Sequence, residues 1–133
     1  MKKLLFLFMA FTAVSISSCS SDDDSAKTNT KAVVYLKDSQ GRPVEGQTVH
    51  AFQDSKWELF GFDVFHSDKS VISDEDGKAE FNNLEEVLGT YINDNQENFH
   101  FGVKYVLNGT NKTKAEGKTF RKGDSKEITI TMN

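Results

Sequence analysis

The sequence predicts an all-β fold, an antiparallel β-sandwich of about seven strands with one short helix near residues 83–91. Three observations predict it. Apolar and polar residues alternate through much of Ala32–Met132, the period of a strand with one buried face. Turn clusters, Asp38-Ser39-Gln40-Gly41-Arg42-Pro43, Asp74-Glu75-Asp76-Gly77 and Asn108-Gly109, interrupt the alternation at short intervals. One stretch departs from it: Leu84, Val87, Leu88 and Tyr91 fall at helical spacing, with Asn83 and Glu86 placed as a capping box.

Ala32-Val33-Val34-Tyr35-Leu36 is rich in strand-forming residues and ends at the first turn. Gln47–Gln53 is a second strand, with Val49 and Ala51 on one face. Over Glu58–His66, Phe60, Phe62 and Val64 alternate with Leu59, Gly61, Asp63 and Phe65. Apolar residues on both sides predict a strand covered on both faces, or one bordering a binding surface. Ser70–Ser73 is a short strand, followed by a turn in which Gly77 can take positive φ. Lys78–Asn82 continues with Ala79 and Phe81 inward. The clearest strand is His100–Leu107, where Phe99, Phe101, Val103, Tyr105 and Leu107 share a face. Asn108-Gly109 predicts a type I′ hairpin, which needs positive φ at both positions. The returning Lys112–Phe120 is polar and carries Lys112, Lys114 and Lys118, as expected of a protected edge strand. Glu127–Met132 closes the domain with Ile128, Ile130 and Met132 inward.

Residues 1–18 stand apart from this domain. Lys2 and Lys3 precede the apolar run Leu4–Val14, and small residues lead to Ser18, the layout of a signal peptide. The run is shorter than the ~20 residues a membrane-spanning helix needs. Ile16-Ser17-Ser18-Cys19 resembles the lipobox of bacterial lipoproteins, with Ile16 where leucine is usual and Ser18 where alanine or glycine is usual. The resemblance implies cleavage before Cys19 and acylation of its thiol, and two or more acyl chains hold a protein durably on a membrane. Residues 19–31 are polar and acidic and read as a flexible tether, with the sandwich at 32–133. Within the tether, Ser21-Asp22-Asp23-Asp24 resembles the export signal of surface-exposed lipoproteins of the Bacteroidota, which implies outer-membrane, cell-surface display. Asp24-Ser25-Ala26 resembles the O-glycosylation site of the same phylum, with Ser25 as acceptor.

Cys19 is the only cysteine, so the domain has no thiol for a disulfide, a thiolate metal site or a nucleophile. Of the 16 basic side chains, Lys2 and Lys3 fall in the leader, leaving 14 against 20 acidic ones. That balance excludes nucleic acid as an expected partner, because such binding neutralises phosphates with Lys and Arg. A domain of roughly 100 residues can hold together by its core alone.

Two segments carry a further resemblance. Asp38–Gly46 matches a D-x-x-G-x-P-V-x-G turn, and Ser73–Leu84 is similar to a later T-D-x-x-G-x-A-x-F-x-N-L segment. Both belong to the transthyretin-like and carboxypeptidase-regulatory-like family of seven-stranded prealbumin sandwiches, an Ig-like architecture, and the resemblance spans about Ala32 to Met132. It implies a fold and little about function. The family includes hydrolases of 5-hydroxyisourate, which use histidines, an arginine and a terminal Tyr-Arg-Gly-Ser. Here the chain ends Ile128-Thr129-Ile130-Thr131-Met132-Asn133 and lacks that motif.

Other chemistry is thin. An EF-hand containing Gly77 would begin at Ile72 and end at Asn83, and neither residue fits. His50, His66 and His100 have no local metal-ligand spacing, and no Gly-x-Ser-x-Gly elbow is present. Asn108-Gly109-Thr110 and Asn111-Lys112-Thr113 match the N-glycosylation pattern and read as polar turn sequence. Trp57, Phe60, Phe62 and Phe65 crowd one region, either as core or as a platform for a sugar or protein partner. Trp57, between Lys56 and Glu58, is the expected exposed contact. The expectation is a non-enzymatic, lipid-anchored module that binds or assembles at the envelope, without cofactor or metal. The alternatives are a small-molecule hydrolase and a carbohydrate-binding module. A cleft gathering a histidine with Arg42 or Arg121 would favour the hydrolase.

Overall fold

The computed structural model describes residues 29–88 and 96–133. The leader, Cys19, the Ser21–Asp24 cluster, Ser25 and Tyr91 lie outside the described residues. The described residues fold as a two-sheet sandwich of seven strands. One sheet has the order β4-β1-β7, from Lys78–Phe81, Lys31–Asp38 and Ser125–Met132. The other has the order β3-β2-β5-β6, from Lys69–Ile72, Thr48–Gln53, Gln96–Leu107 and Thr110–Arg121.

The inward faces are those the alternation predicts. Val34, Leu36, Phe81 and Ile130 from one sheet meet Val49, Phe101, Val103 and Phe120 from the other, all essentially without solvent contact. Phe81 and Phe101 meet edge-on across the core, 5.3 Å between ring centroids. Asn108 and Gly109 hold φ of 52° and 77°, as the type I′ turn between β5 and β6 demands. Strand β6 lies at the edge of its sheet.

The turns that follow β1 and β3 pack on each other. Leu36 N donates to Gly77 O, and Val44 N donates back to Leu36 O. Ser73 Oγ donates to Val44 O at 2.8 Å and accepts from Gln47 N at 3.0 Å. Asp74 Oδ1 accepts from the amides of Asp76 and Lys78, so the acidic turn spends this oxygen on its own backbone.

Three expectations are corrected. The sandwich is not wholly antiparallel: β1 and β7 run parallel, in register from Lys31–Ser125 to Asp38–Met132. A parallel pair needs a long connection, and here almost the whole domain supplies it. The segment Glu58–His66 is not a strand. Asp54–Phe60 forms a helix, α1, ended by Gly61 at φ 64°, and Val64–His66 makes a 3-10 turn. Period two and period 3.6 both fit so short an apolar run, and the stop at Gly61 decides for the helix. The helix near 83–91 is described over Glu85–Leu88, α2. Asn83 sits at φ 55° rather than in the extended conformation of a capping residue. Its backbone amide donates to Asn29 Oδ1, and Glu85 accepts from Thr30 N.

Candidate binding surface

The segment Asp54–His66 covers the outer face of the four-stranded sheet. On β2 and β5 that face carries His50, Phe52, His100 and Gly102, with His50 opposite Gly102 and Phe52 opposite His100. Phe52 and Gly102 are buried even though they point away from the sandwich core. Coverage on both faces therefore belongs to β2 and β5, not to the segment expected to need it.

Four aromatic contacts seat the segment on the sheet, and a fifth lies within it. Trp57 lies flat on His100, 4.8 Å between centroids, and meets Phe52 edge-on at 5.5 Å. Phe62 meets His50 at 5.7 Å and Phe52 at 5.5 Å, and its ring occupies the space above Gly102, where a Cβ would come within 2.7 Å. Phe60 stacks on His66 at 3.8 Å. All three histidines of the chain thus rest against rings of this one segment.

Polar bonds lock its ends. His100 Nε2 donates to Asp54 Oδ1 across 2.6 Å, and Asn98 Nδ2 donates to the same oxygen at 3.2 Å. Asp68, almost wholly buried, pairs with Lys56 and accepts from Gln53 N at 2.8 Å. Gln53 Nε2 donates to Val87 O, tying the start of the segment to α2. Asp63 accepts from Phe65 N at 3.0 Å and from His66 Nδ1 at 2.9 Å. The Phe65 amide first, and then His66, hold its carboxyl below the ordinary range. Burial pulls His50 below the usual histidine value, and its Nδ1 lies 2.7 Å from Ser70 Oγ. Glu97 is shifted the other way, upward, chiefly by burial.

What this fastening leaves outside is apolar. Phe65 is 91% exposed, Leu59 76%, Phe60 49% and Val64 42%. Elsewhere among the described residues the large exposed apolar side chains are Ile72 and Val106. Trp57, expected to be the exposed contact, is half-buried with one face against His100. Phe65 and Leu59 hold the exposed position instead. The sequence groups Phe60 and Phe65 with Phe62 but cannot separate the exposed rings from the packed one, because a misread period puts the wrong rings outward.

The arrangement that would favour a hydrolase is not formed among the described residues. Arg42 is bonded to Asp38 in the turn that follows the last residue of β1. Arg121 ends β6 beside Asp124, whose carbonyl accepts from Lys31 N at the first residue of β1. The two arginines therefore lie at opposite ends of the sandwich, while the histidines engage Ser70, Asp63 and Asp54. Among the described residues no group of three or more His, Cys, Asp or Glu side chains converges as a metal site would require.

No protein-family model matches the chain. No curated protein matches it either. Among solved structures, a 9R-lipoxygenase from Cyanothece aligns over 79% of this chain and 16% of its own, at 12% identity. Its TM-score of 0.40 is too low to carry an argument. A streptococcal ancillary pilin aligns over 80% of this chain with a TM-score of 0.52 and 15% identity. The chain spans about a third of that pilin's length, 32%, and the likeness is one of fold: a β-rich, pilin-like architecture compatible with an Ig-like sandwich.

Proposed function

We propose that the protein is a non-enzymatic binding module of the bacterial cell envelope, anchored by acyl chains on Cys19 and displayed at the outer-membrane surface. One observation carries the binding role. The segment Asp54–His66 is fastened to the sheet by four aromatic contacts, two each from Trp57 and Phe62, yet it turns Leu59, Phe60, Val64 and Phe65 to solvent. An ordered surface that exposes four apolar side chains within seven residues, Leu59 to Phe65, is a contact site awaiting its partner. The lipobox-like Ile16–Cys19 and the acidic Ser21–Asp24 supply the address. The architecture shared with a streptococcal ancillary pilin is compatible with a surface or assembly role.

Mass spectrometry of the native protein tests the anchor: an acylated Cys19 as the new amino terminus is expected, and an intact Met1 or a free thiol sinks it. Protease treatment of intact cells tests display. Surface exposure predicts digestion of the domain, and complete protection places it on the inner side. The carbohydrate reading makes a different prediction. A sugar stacks on an open ring face, and with His100 on one side Trp57 keeps at most the other face for it. Glycan binding that Trp57→Ala abolishes would restore that reading.

A further inference from the structure

We infer that the segment Asp54–His66 is a second membrane contact, its Phe65 and Leu59 entering the lipid surface that holds the acylated chain. The inference rests on the anchoring proposed at Cys19 and names the partner of the apolar surface.

The path of the chain carries it. Ten residues lie between Cys19 and Thr30, and the eleven steps reach at most roughly 40 Å. Thr30 is fixed at one end of the sandwich by Gly123 N, which donates to its Oγ1 at 2.9 Å, and by Glu85, which accepts from its amide. The register places the start of α1 at the same end. Lys31 is opposite Ser125, Gln96 is opposite Arg121, and Gln53, the residue before α1, is opposite Phe99. The short tether and the apolar segment therefore begin from one end of the molecule, and a six-residue strand such as β2 extends only about 20 Å from it. The membrane is within reach of this surface whenever the anchor is inserted.

The shape and charge of the segment select the kind of contact. It projects Leu59, Phe60, Val64 and Phe65 outward, which suits insertion. Lys56 is committed to Asp68, and Glu58 and Asp63 flank the apolar group. Anionic headgroups gain nothing from such a rim, so the attraction is to acyl chains of a zwitterionic surface. A second copy of the chain is a poorer occupant. Four side chains fall short of the ~800 Å² per partner that a stable interface buries. The stacks Trp57–His100 and Phe60–His66 hold the backbone before contact, which lowers the entropy lost on insertion.

The experiment uses the acylated full chain in phosphatidylcholine vesicles, with Phe65→Trp as reporter and the wild-type chain, carrying Trp57 alone, as reference. Bromine-labelled acyl chains are expected to quench the added emission at least twofold, with a blue shift on insertion. Adding Leu59→Asp to the reporter chain should abolish the quenching while circular dichroism stays unchanged. An acylated, vesicle-bound chain whose added emission is unquenched overturns the inference and leaves the anchor standing. A chain that lacks acylation and stays in solution removes both. A blue shift that appears only with protein concentration, or only with envelope proteins, assigns the surface to a protein and also overturns the inference.

Discussion

The indole of Trp57 and the imidazole of His100 lie 8° from parallel, and the same imidazole donates to Asp54 at the start of the helix that carries the indole. One β5 side chain thereby holds both the N-terminus and the middle of α1. The helix is seven residues long, too short to be stable by propensity, so its form depends on this attachment.

Replacing Trp57 with alanine should cost about 2 kcal/mol, less than a fully buried aromatic because the ring is half exposed. Paired with His100→Ala in a double-mutant cycle, the two should couple by about 1 kcal/mol in urea unfolding. Additive losses would mean that the stack contributes only area.

Gly102 exists for Phe62. A Cβ there would stand 2.7 Å from two atoms of the ring, so Gly102→Ala must displace Phe62 and with it the middle of the covering segment. A loss of about 1–3 kcal/mol is expected. Phe62→Ala should relieve the clash, making the double variant less destabilised than the two single losses combined.

The glycine of the second turn is less forgiving. At Gly77, φ is 71° and a Cβ would approach Leu36 O of β1 to 2.5 Å and Val44 N, beyond the first turn, to 3.0 Å, both backbone atoms. Gly77→Ala should therefore cost roughly 3 kcal/mol or more by denaturant midpoint. Gly41→Ala has a similar φ of 79° but open space around it, and should cost only about 1 kcal/mol.

Acid should weaken the domain in two stages. Burial depresses His50 below 6.5, so the unfolded chain takes that proton first. The stability due to His50 is complete above pH 6.5 and is lost as pH falls through the folded value. Lys31, Lys78 and Asn82 pull Glu80 from 4.5 to about 2. Its contribution is present above pH 4.5 and disappears as pH falls through about 2. Urea midpoints against pH should show the upper stage flattened in His50→Gln and the lower one reduced in Glu80→Gln, with the depressed carboxyls of Asp38, Asp63 and Asp124 supplying the rest. Identical profiles for the variants and the wild type would refute the assignment.

Much of the sandwich was legible because its signals are local. The alternation of Phe99 to Leu107 names the buried face of β5, and Asn108-Gly109 names its hairpin. The turns at Asp38–Pro43 and Asp74–Gly77 were readable from their turn residues, and Gly77 packs against Leu36, Pro43 and Val44. The pairing of β1 with β7 was not legible, since strand direction across nearly the whole domain leaves no trace in either strand. Nor was the covering segment. Its helix is too short to show a repeat, and the residues that anchor it, His50, His100 and Gly102, lie on other strands. Trp57 was expected to be exposed and is half-buried, while Phe65 is exposed, because which ring faces outward is settled by tertiary packing.

The parallel pairing of the first strand with the last has a mechanical consequence. Eight residue pairs join them, from Lys31 with Ser125 to Asp38 with Met132. Traction applied to the start of β1 against the end of β7 runs along this ladder, loading its rungs together in shear instead of opening them singly. A domain held by its leading end and tugged from its trailing end would yield abruptly, as one unit.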